Sequence, residues 1–145
     1  MKEYADPRMH SAEHILNQTM VRMFNCGRSF SSHIEKKKSK CDYRFNRNLT
    51  EEEVVEIERR VNKVIAKDLP IGEDFMRREE AESLFDMDRL PDVADQRIRI
   101  VRAGDYDACP CIGDHVESTK EIGMFRITTT SHEDGVLRIR FKLTP

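Results

Sequence analysis

No stretch of this chain is long and apolar enough to span a bilayer, and its start has none of the layout of a secretory signal. Membrane-spanning and exported classes are not expected, and a cytoplasmic location is. There is also no surplus of charge of one sign. The 25 Lys and Arg stand against 27 Asp and Glu, for a net charge of -2 and a pI of about 6.2. That balance excludes a protein that grips nucleic acid over its whole surface, so any RNA contact has to use a local patch. No repeat, low-complexity tract or domain-scale linker interrupts the 145 residues, which read as one domain, 1–145. Cysteine is scarce, with only Cys26, Cys41, Cys109 and Cys111. Reduced thiols are expected, with metal binding ahead of disulfides.

What is present is charge, at 36%, over an apolar share of 38% that comes in periodic blocks. A chain of this length buries roughly 68–70% of its unfolded surface, enough for a core without staples. Asp6-Pro7 reads as an N-cap and first helical residue. Met9, Ala12, Leu16, Met20 and Met23 then recur at helical spacing, predicting a helix over 7–24 that ends with Gly27 as a left-handed cap. His10, His14, Asn17 and Val21 form a second stripe, placed along the margin of the core. Residues 29–35 and 40–46 read as strands joined by Lys36, Lys37, Lys38 and Lys40. Thr50 and Glu53 form a capping box that opens a helix over 51–67, stopped at Leu69-Pro70.

Residues 71–77 read as a strand and 79–85 as a short helix, with a break at Leu90-Pro91-Asp92. The alternation Arg97-Ile98-Arg99-Ile100-Val101-Arg102 predicts a half-buried strand with a basic outer face, followed by a loop over 104–113. Strands over 124–130 and 136–143 join through Glu133-Asp134-Gly135. About three helices among six or seven often consecutive strands predict an α+β fold with an antiparallel-rich sheet.

Two pairs of chemistry-bearing residues share one spacing. His10 and His14 lie one turn apart on a helix, and Cys111 and His115 lie four apart in a Pro/Gly-punctuated loop. One thiolate and three imidazoles form a ligand set suited to Zn²⁺. Glu13 directly precedes His14, whereas the metalloprotease pattern His-Glu-x-x-His needs the acid directly after the first histidine, so that reading is rejected. Cys109 is a spare ligand or a buried small hydrophobe. Cys26 and Cys41 read as packing residues, and His33 and His132 lie in strand-like segments without a paired ligand. The lysine run is either a solvated hairpin tip or a phosphate contact.

The stretches His10-Ser11-Ala12-Glu13-His14-Ile15-Leu16, Ser32-His33-Ile34, Cys41-Asp42-Tyr43-Arg44-Phe45, the helix with Glu58 and Val61-Asn62, and Cys109-Pro110-Cys111-Ile112-Gly113-Asp114-His115-Val116 running on to Glu121-Ile122-Gly123 resemble one family in its order. This is the editing domain shared by alanyl- and threonyl-tRNA synthetases, and most of all the short free-standing alanyl-tRNA editing proteins. The resemblance implies an α/β sandwich and zinc ligated by His10, His14, Cys111 and His115. It also implies hydrolysis, in trans, of serine or glycine esterified to the 3′ adenosine of an alanine tRNA. Members usually carry Gly-Gly-Thr between the ligand Cys and His, where this chain has Ile112-Gly113-Asp114. Relatives inside synthetases often carry an acid two before the ligand Cys; here that place is Cys109, with Asp107 two further back. No counterpart of the barrel-like N-terminal domain of longer members is present, implying a short form.

An aminoacyl ester is activated, so hydrolysis needs a placed water, a polarised carbonyl and help for the leaving ribose oxygen. Zinc can act as Lewis acid or water activator, or can position the substrate. His33 and Asp114 are the residues expected to orient water or substrate. The tRNA is expected on Lys36, Lys37, Lys38 and Lys40 with Arg97, Arg99 and Arg102. The alternative functions are a non-catalytic zinc-stabilised tRNA-binding module and a domain that binds a synthetase.

Overall fold

The computed structural model describes residues 6–85, 87 and 97–144. The expected break at Leu90-Pro91-Asp92 lies outside the described residues. The described elements run α1 (Pro7–Phe24), β1 (Ser31–Ile34), β2 (Ser39–Arg44), α2 (Glu51–Ala66), β3 (Ile71–Arg77), α3 (Arg78–Leu84), β4 (Arg97–Ala103), β5 (Asp107–Pro110), a 3-10 turn (Thr119–Ile122), β6 (Met124–Glu133) and β7 (Val136–Thr144). The α+β class holds, with the strands divided between two antiparallel sheets. One has the order β1-β2-β7-β6 and the other β3-β4-β5. None of the described helices is long and apolar enough to cross a membrane.

Alternation along β7 turns Leu137, Ile139 and Phe141 inward to full burial, and on β2 Cys41 and Tyr43 join them. This face meets Met9, Ala12, Ile15, Leu16 and Met20 of α1 and Ile57, Val61, Val64 and Ile65 of α2. Each large side chain so buried contributes roughly 1.5–3 kcal/mol. A smaller cluster of Ala81, Ile98 and Ile100 lies beneath α3.

The α1 helix starts as its sequence dictates, with the Asp6 carboxylate accepting from Arg8 N at 2.8 Å and Pro7 in the first turn. It ends at Asn25, at φ 54°, whose N–H reaches Val21 O at 2.9 Å; the left-handed cap falls there and not at Gly27. Asparagine tolerates that conformation because its short polar side chain can bond locally. The helix is also buried on more than one stripe. Ser11, Glu13, His14, Asn17 and Thr19 are buried as well, because α1 packs on α2, β1 and the 3-10 turn and also against β5. Two of these buried polar groups are bonded within the core: Asn17 Oδ1 accepts from Tyr43 OH at 2.8 Å and Ser29 N at 3.0 Å, and Thr19 Oγ1 donates to Ile15 O at 2.8 Å.

The segment expected as a loop over 104–113 contains β5, paired to β4 from Ile100↔Pro110 to Ala103↔Asp107. Gly104 (φ 53°) makes the turn between them, so this stretch is a short hairpin that holds the end bearing Cys111 against β4. The β6–β7 turn uses Asp134 (φ 51°) and Gly135 (φ 77°), the two positive φ values of a tight hairpin.

Candidate metal centre

Residues about a hundred positions apart in sequence meet between the N-terminal half of α1 and the loop after β5. His10, His14, Cys111 and His115 each offer one donor atom, and these atoms all lie within 4.8 Å of one another. Cys111 Sγ is 3.3 Å from His10 Nε2 and 3.5 Å from His115 Nε2. With metal–sulfur bonds of about 2.3 Å and metal–nitrogen bonds of about 2.0–2.1 Å, the S···N edge of a tetrahedron is roughly 3.5 Å. The donor types and their separations therefore fit one tetrahedral ion.

Three of the four residues are held by a second partner, which orients a ligand. His10 Nδ1 bonds the Asp114 carbonyl oxygen at 3.1 Å, which turns Nε2 toward Cys111. His115 Nδ1 is 2.9 Å from Ser11 Oγ, itself fixed by Val116 N at 3.2 Å. Gly113 N donates to Cys111 Sγ at 3.4 Å. His14 Nδ1 is buried without a hydrogen-bond partner and faces Asp107 Oδ2 at 3.6 Å. Asp107 is also buried, and is gripped by Arg28 Nη1 at 2.7 Å and Gln18 Nε2 at 2.8 Å.

Gly113 is where the loop touches the helix. A Cβ there would stand 2.3 Å from His10 Cε1 and 2.6 Å from Nδ1, so any side chain would push the ring away. Arg99 of β4 fastens the same loop, with Nη1 donating to Cys111 O at 3.1 Å and Gly113 O at 2.8 Å.

The protonation states suit a ligand set. Burial drives the His115 pKa down to about 2, helped by charge on His14 and His10, so its ring is neutral. Burial works against the Cys111 thiolate, and His14 with the Gly113 N–H more than reverses this, placing its pKa below the ordinary thiol value. For His14, burial opposes protonation while Asp107 and Cys111 outweigh it, so its pKa is raised. Burial tends to raise the Asp107 carboxyl, yet His14 and Arg28 hold it below the usual carboxylate range.

The other expected site residues are dispersed. His33 is exposed on edge strand β1, its Nε2 2.6 Å from Glu35 Oε2, outside the four-residue cluster. Asp114 contributes its backbone oxygen to His10, and its side chain is exposed. Lys36, Lys37 and Lys38 are exposed between β1 and β2, and Lys40 lies on β2. The arginines of β4 belong to the other sheet. Arg97 stacks over Phe75 at 5.3 Å, Arg99 pairs with Glu73, and Arg102 pairs with Asp74 at 3.0 Å. Cys109 stays outside the cluster, and burial pushes its thiol up to about 12. Cys41 is core; His132 is structural, with Nε2 2.8 Å from Phe45 O. Glu13 is buried and nearer the pair than its spacing suggests, with Oε1 3.9 Å from His10 Nε2. The centre also draws in Ser11, Asp107 and Arg28, to which the sequence assigns no role, and Arg99, which is expected on tRNA and instead holds the loop. Of these, Ser11 lies between the paired histidines, while the others reach the site only through tertiary pairing.

Residues 98–140 match the family described as the threonyl and alanyl tRNA synthetase second additional domain. The chain is also similar to alanine–tRNA ligases. It is 33% identical to that of Methanopyrus kandleri over 138 residues, covering 92% of this chain and 15% of that protein. For Idiomarina loihiensis the identity is 32% over 136 residues, 91% of this chain and 16% of the ligase. For Halorubrum lacusprofundi it is 39% over 106 residues, 71% and 11% respectively. The chain thus spans about a sixth or less of the length of these relatives.

Proposed function

We propose, from the similarity to the threonyl and alanyl tRNA synthetase second additional domain and to alanine–tRNA ligases, that this chain hydrolyses the ester joining a wrong amino acid to tRNA. The acyl groups we assign are serine or glycine on an alanine tRNA, with the chain acting in trans. The observation that carries the reading is the convergence of His10, His14, Cys111 and His115, three of them held by hydrogen bonds and His14 facing Asp107.

A Zn²⁺ held by these residues would supply Lewis acidity toward the ester carbonyl or a bound water of lowered pKa where one of the four donors yields its place or the shell expands. The chain's own part is preorganisation. The Asp114 carbonyl and the Ser11 hydroxyl fix two imidazoles, Asp107 faces the third, and Arg99 fastens the loop that carries the thiolate. Asp114, exposed beside His10, is the side chain we assign to orient water or substrate. Selectivity follows from hydrogen bonding. A site that bonds serine's hydroxyl leaves its polar groups unpaired with alanine and so spares the correct ester.

A second reading draws on the same cluster. Four protein donors complete a tetrahedral shell, which is the pattern of a structural site. It describes a non-catalytic, zinc-stabilised module that binds tRNA or a synthetase. Hydrolysis of seryl-, glycyl- and alanyl-tRNA of the alanine type, side by side and with and without zinc, separates the two. The enzyme accelerates loss of the first or second and spares the third. If none is lost faster than it is spontaneously, the binding module takes its place. Asp114→Thr then tests selectivity, because an adaptive Asp114 makes that change shift the preference among the three esters.

A further inference from the structure

The inward turn of Leu137, Ile139 and Phe141 obliges Arg138, Arg140 and Lys142 to face outward from the four-stranded sheet. The register adds to this. Lys40 of β2 stands opposite Arg140, Arg126 of β6 stands opposite Lys142, and Asp42 stands opposite Arg138. The outward face thus carries Lys40, Arg126, Arg138, Arg140 and Lys142, with Asp42 and, beside the β6–β7 turn, Glu133 as the acids in register.

Asp42 is taken by Arg138, at 2.8 and 2.9 Å through both oxygens. Among the described residues, none of Lys40, Arg126, Arg140 and Lys142 makes an ion pair; the long contact of Arg140 is to Thr129 Oγ1 at 3.5 Å. Two of the cross-strand pairs, Lys40/Arg140 and Arg126/Lys142, are therefore like-charged and directly opposed, an arrangement that destabilises a sheet. The chain does not lack acids, with 27 against 25 bases. It places them beside arginines elsewhere, as in Glu56 with Arg59 and Arg60, or Asp74 with Arg102. Along β7 the cations repeat about every 6.6–6.8 Å, and across strands about every 5 Å, a grid that suits a polyanion with regularly spaced charges. The exposed Lys36, Lys37 and Lys38 prolong the grid at the β1–β2 connection. The inner side of the same strand reaches the centre's helix, since Ser39 Oγ meets Met9 Sδ at 3.4 Å, one residue from His10.

We propose that this outward sheet face, centred on Lys40, Arg126, Arg140 and Lys142, binds the sugar–phosphate backbone of the RNA substrate. It rests on the tRNA reading and adds the surface that holds the body of the substrate while the acylated end reaches the cluster. The arginines of β4 are not part of it, because Arg99 and Arg102 have carboxylate partners on β3.

The test is tRNA binding by the whole chain between about 50 and 200 mM salt, for wild type, Arg126→Gln/Lys142→Gln and Lys40→Gln/Arg140→Gln. Each double variant should lose affinity at least about tenfold at low salt and lower the log–log salt slope by about one for each lost contact. Removing like-charge pairs should leave the melting temperature equal or higher, so lost binding is not lost folding. Lys63→Gln/Lys67→Gln on α2 should bind as wild type does. Hydrolysis of 3′-seryl-adenosine, which has no backbone to hold, should be the same in all variants. Wild-type affinity and slope in both sheet variants overturn the surface and leave the enzyme standing. A wild type that hydrolyses seryl-adenosine but binds tRNA with no salt dependence also overturns the surface. A wild type that neither binds tRNA nor hydrolyses either substrate removes the reading beneath it.

Discussion

At the scale of single residues, the cluster of His10, His14, Cys111 and His115 rests on side chains that come to it from several elements. His10 and His14 share a helical face by spacing alone, and Cys111 and His115 repeat that spacing. Asp107 carries no such signal. It faces His14 because β5 pairs with β4 and lies against α1, a relation no local spacing encodes. A carboxylate beyond a ligating imidazole fixes ring orientation and raises ligand basicity, and its loss typically costs 10–100-fold in metal affinity. Asp107→Asn should therefore weaken zinc binding by roughly 10–100-fold in chelator competition. Cobalt substitution provides the second readout, since the variant's ligand-field bands should shift while an Arg59→Gln control keeps those of wild type. Unchanged affinity and bands would make Asp107 only the partner of Arg28.

At the scale of elements, α2 does more than cover a sheet. Strand β6 is an edge, with backbone groups that need partners. The α2 side chains act in place of a neighbouring strand. Asn62 donates to Phe125 O at 2.9 Å and accepts from Phe125 N at 2.8 Å, and Glu58 accepts from Ile127 N at 2.7 Å. Asn62→Ala strips both groups of Phe125 and should destabilise the chain by about 1–3 kcal/mol in urea unfolding, with the metal centre intact. The α2 N-terminus gives a pH signature. Arg47 foremost, with the Thr50 N–H, lowers the Glu53 pKa from 4.5 to about 2. A depressed carboxylate contributes stability that is present above about pH 4.5 and lost as pH falls toward about 2. Solvent screening keeps the contribution small. Glu53→Gln should be less stable than wild type near neutrality, and the gap should close on acidification over that range. The capping box was legible because its residues are three apart. β5 was not, because a four-residue strand between Gly104 and Gly113 has too few alternations to stand out from a loop.

At the scale of the whole molecule, the sequence identified the α+β class and the helices, and it implied one antiparallel-rich sheet where the structure has two. Sheet membership depends on non-local pairing. β2 lies beside β7, almost a hundred residues later, while β3, β4 and β5 pair among themselves. The same non-locality separates the basic residues that looked like one strip, leaving the lysines of the β1–β2 connection on one sheet and Arg97, Arg99 and Arg102 on the other. It also brings His10 and His14 together with Cys111 and His115, about a hundred residues later. The deacylation proposed for the chain depends on a metal held at this centre. The most direct test is the rate of seryl-tRNA hydrolysis by one preparation as purified, after chelation, and after zinc is returned. Acceleration over the spontaneous rate is expected, lost on chelation and recovered with one zinc per chain. A chelated protein as active as the loaded one, or a loaded protein with no activity, would contradict that dependence.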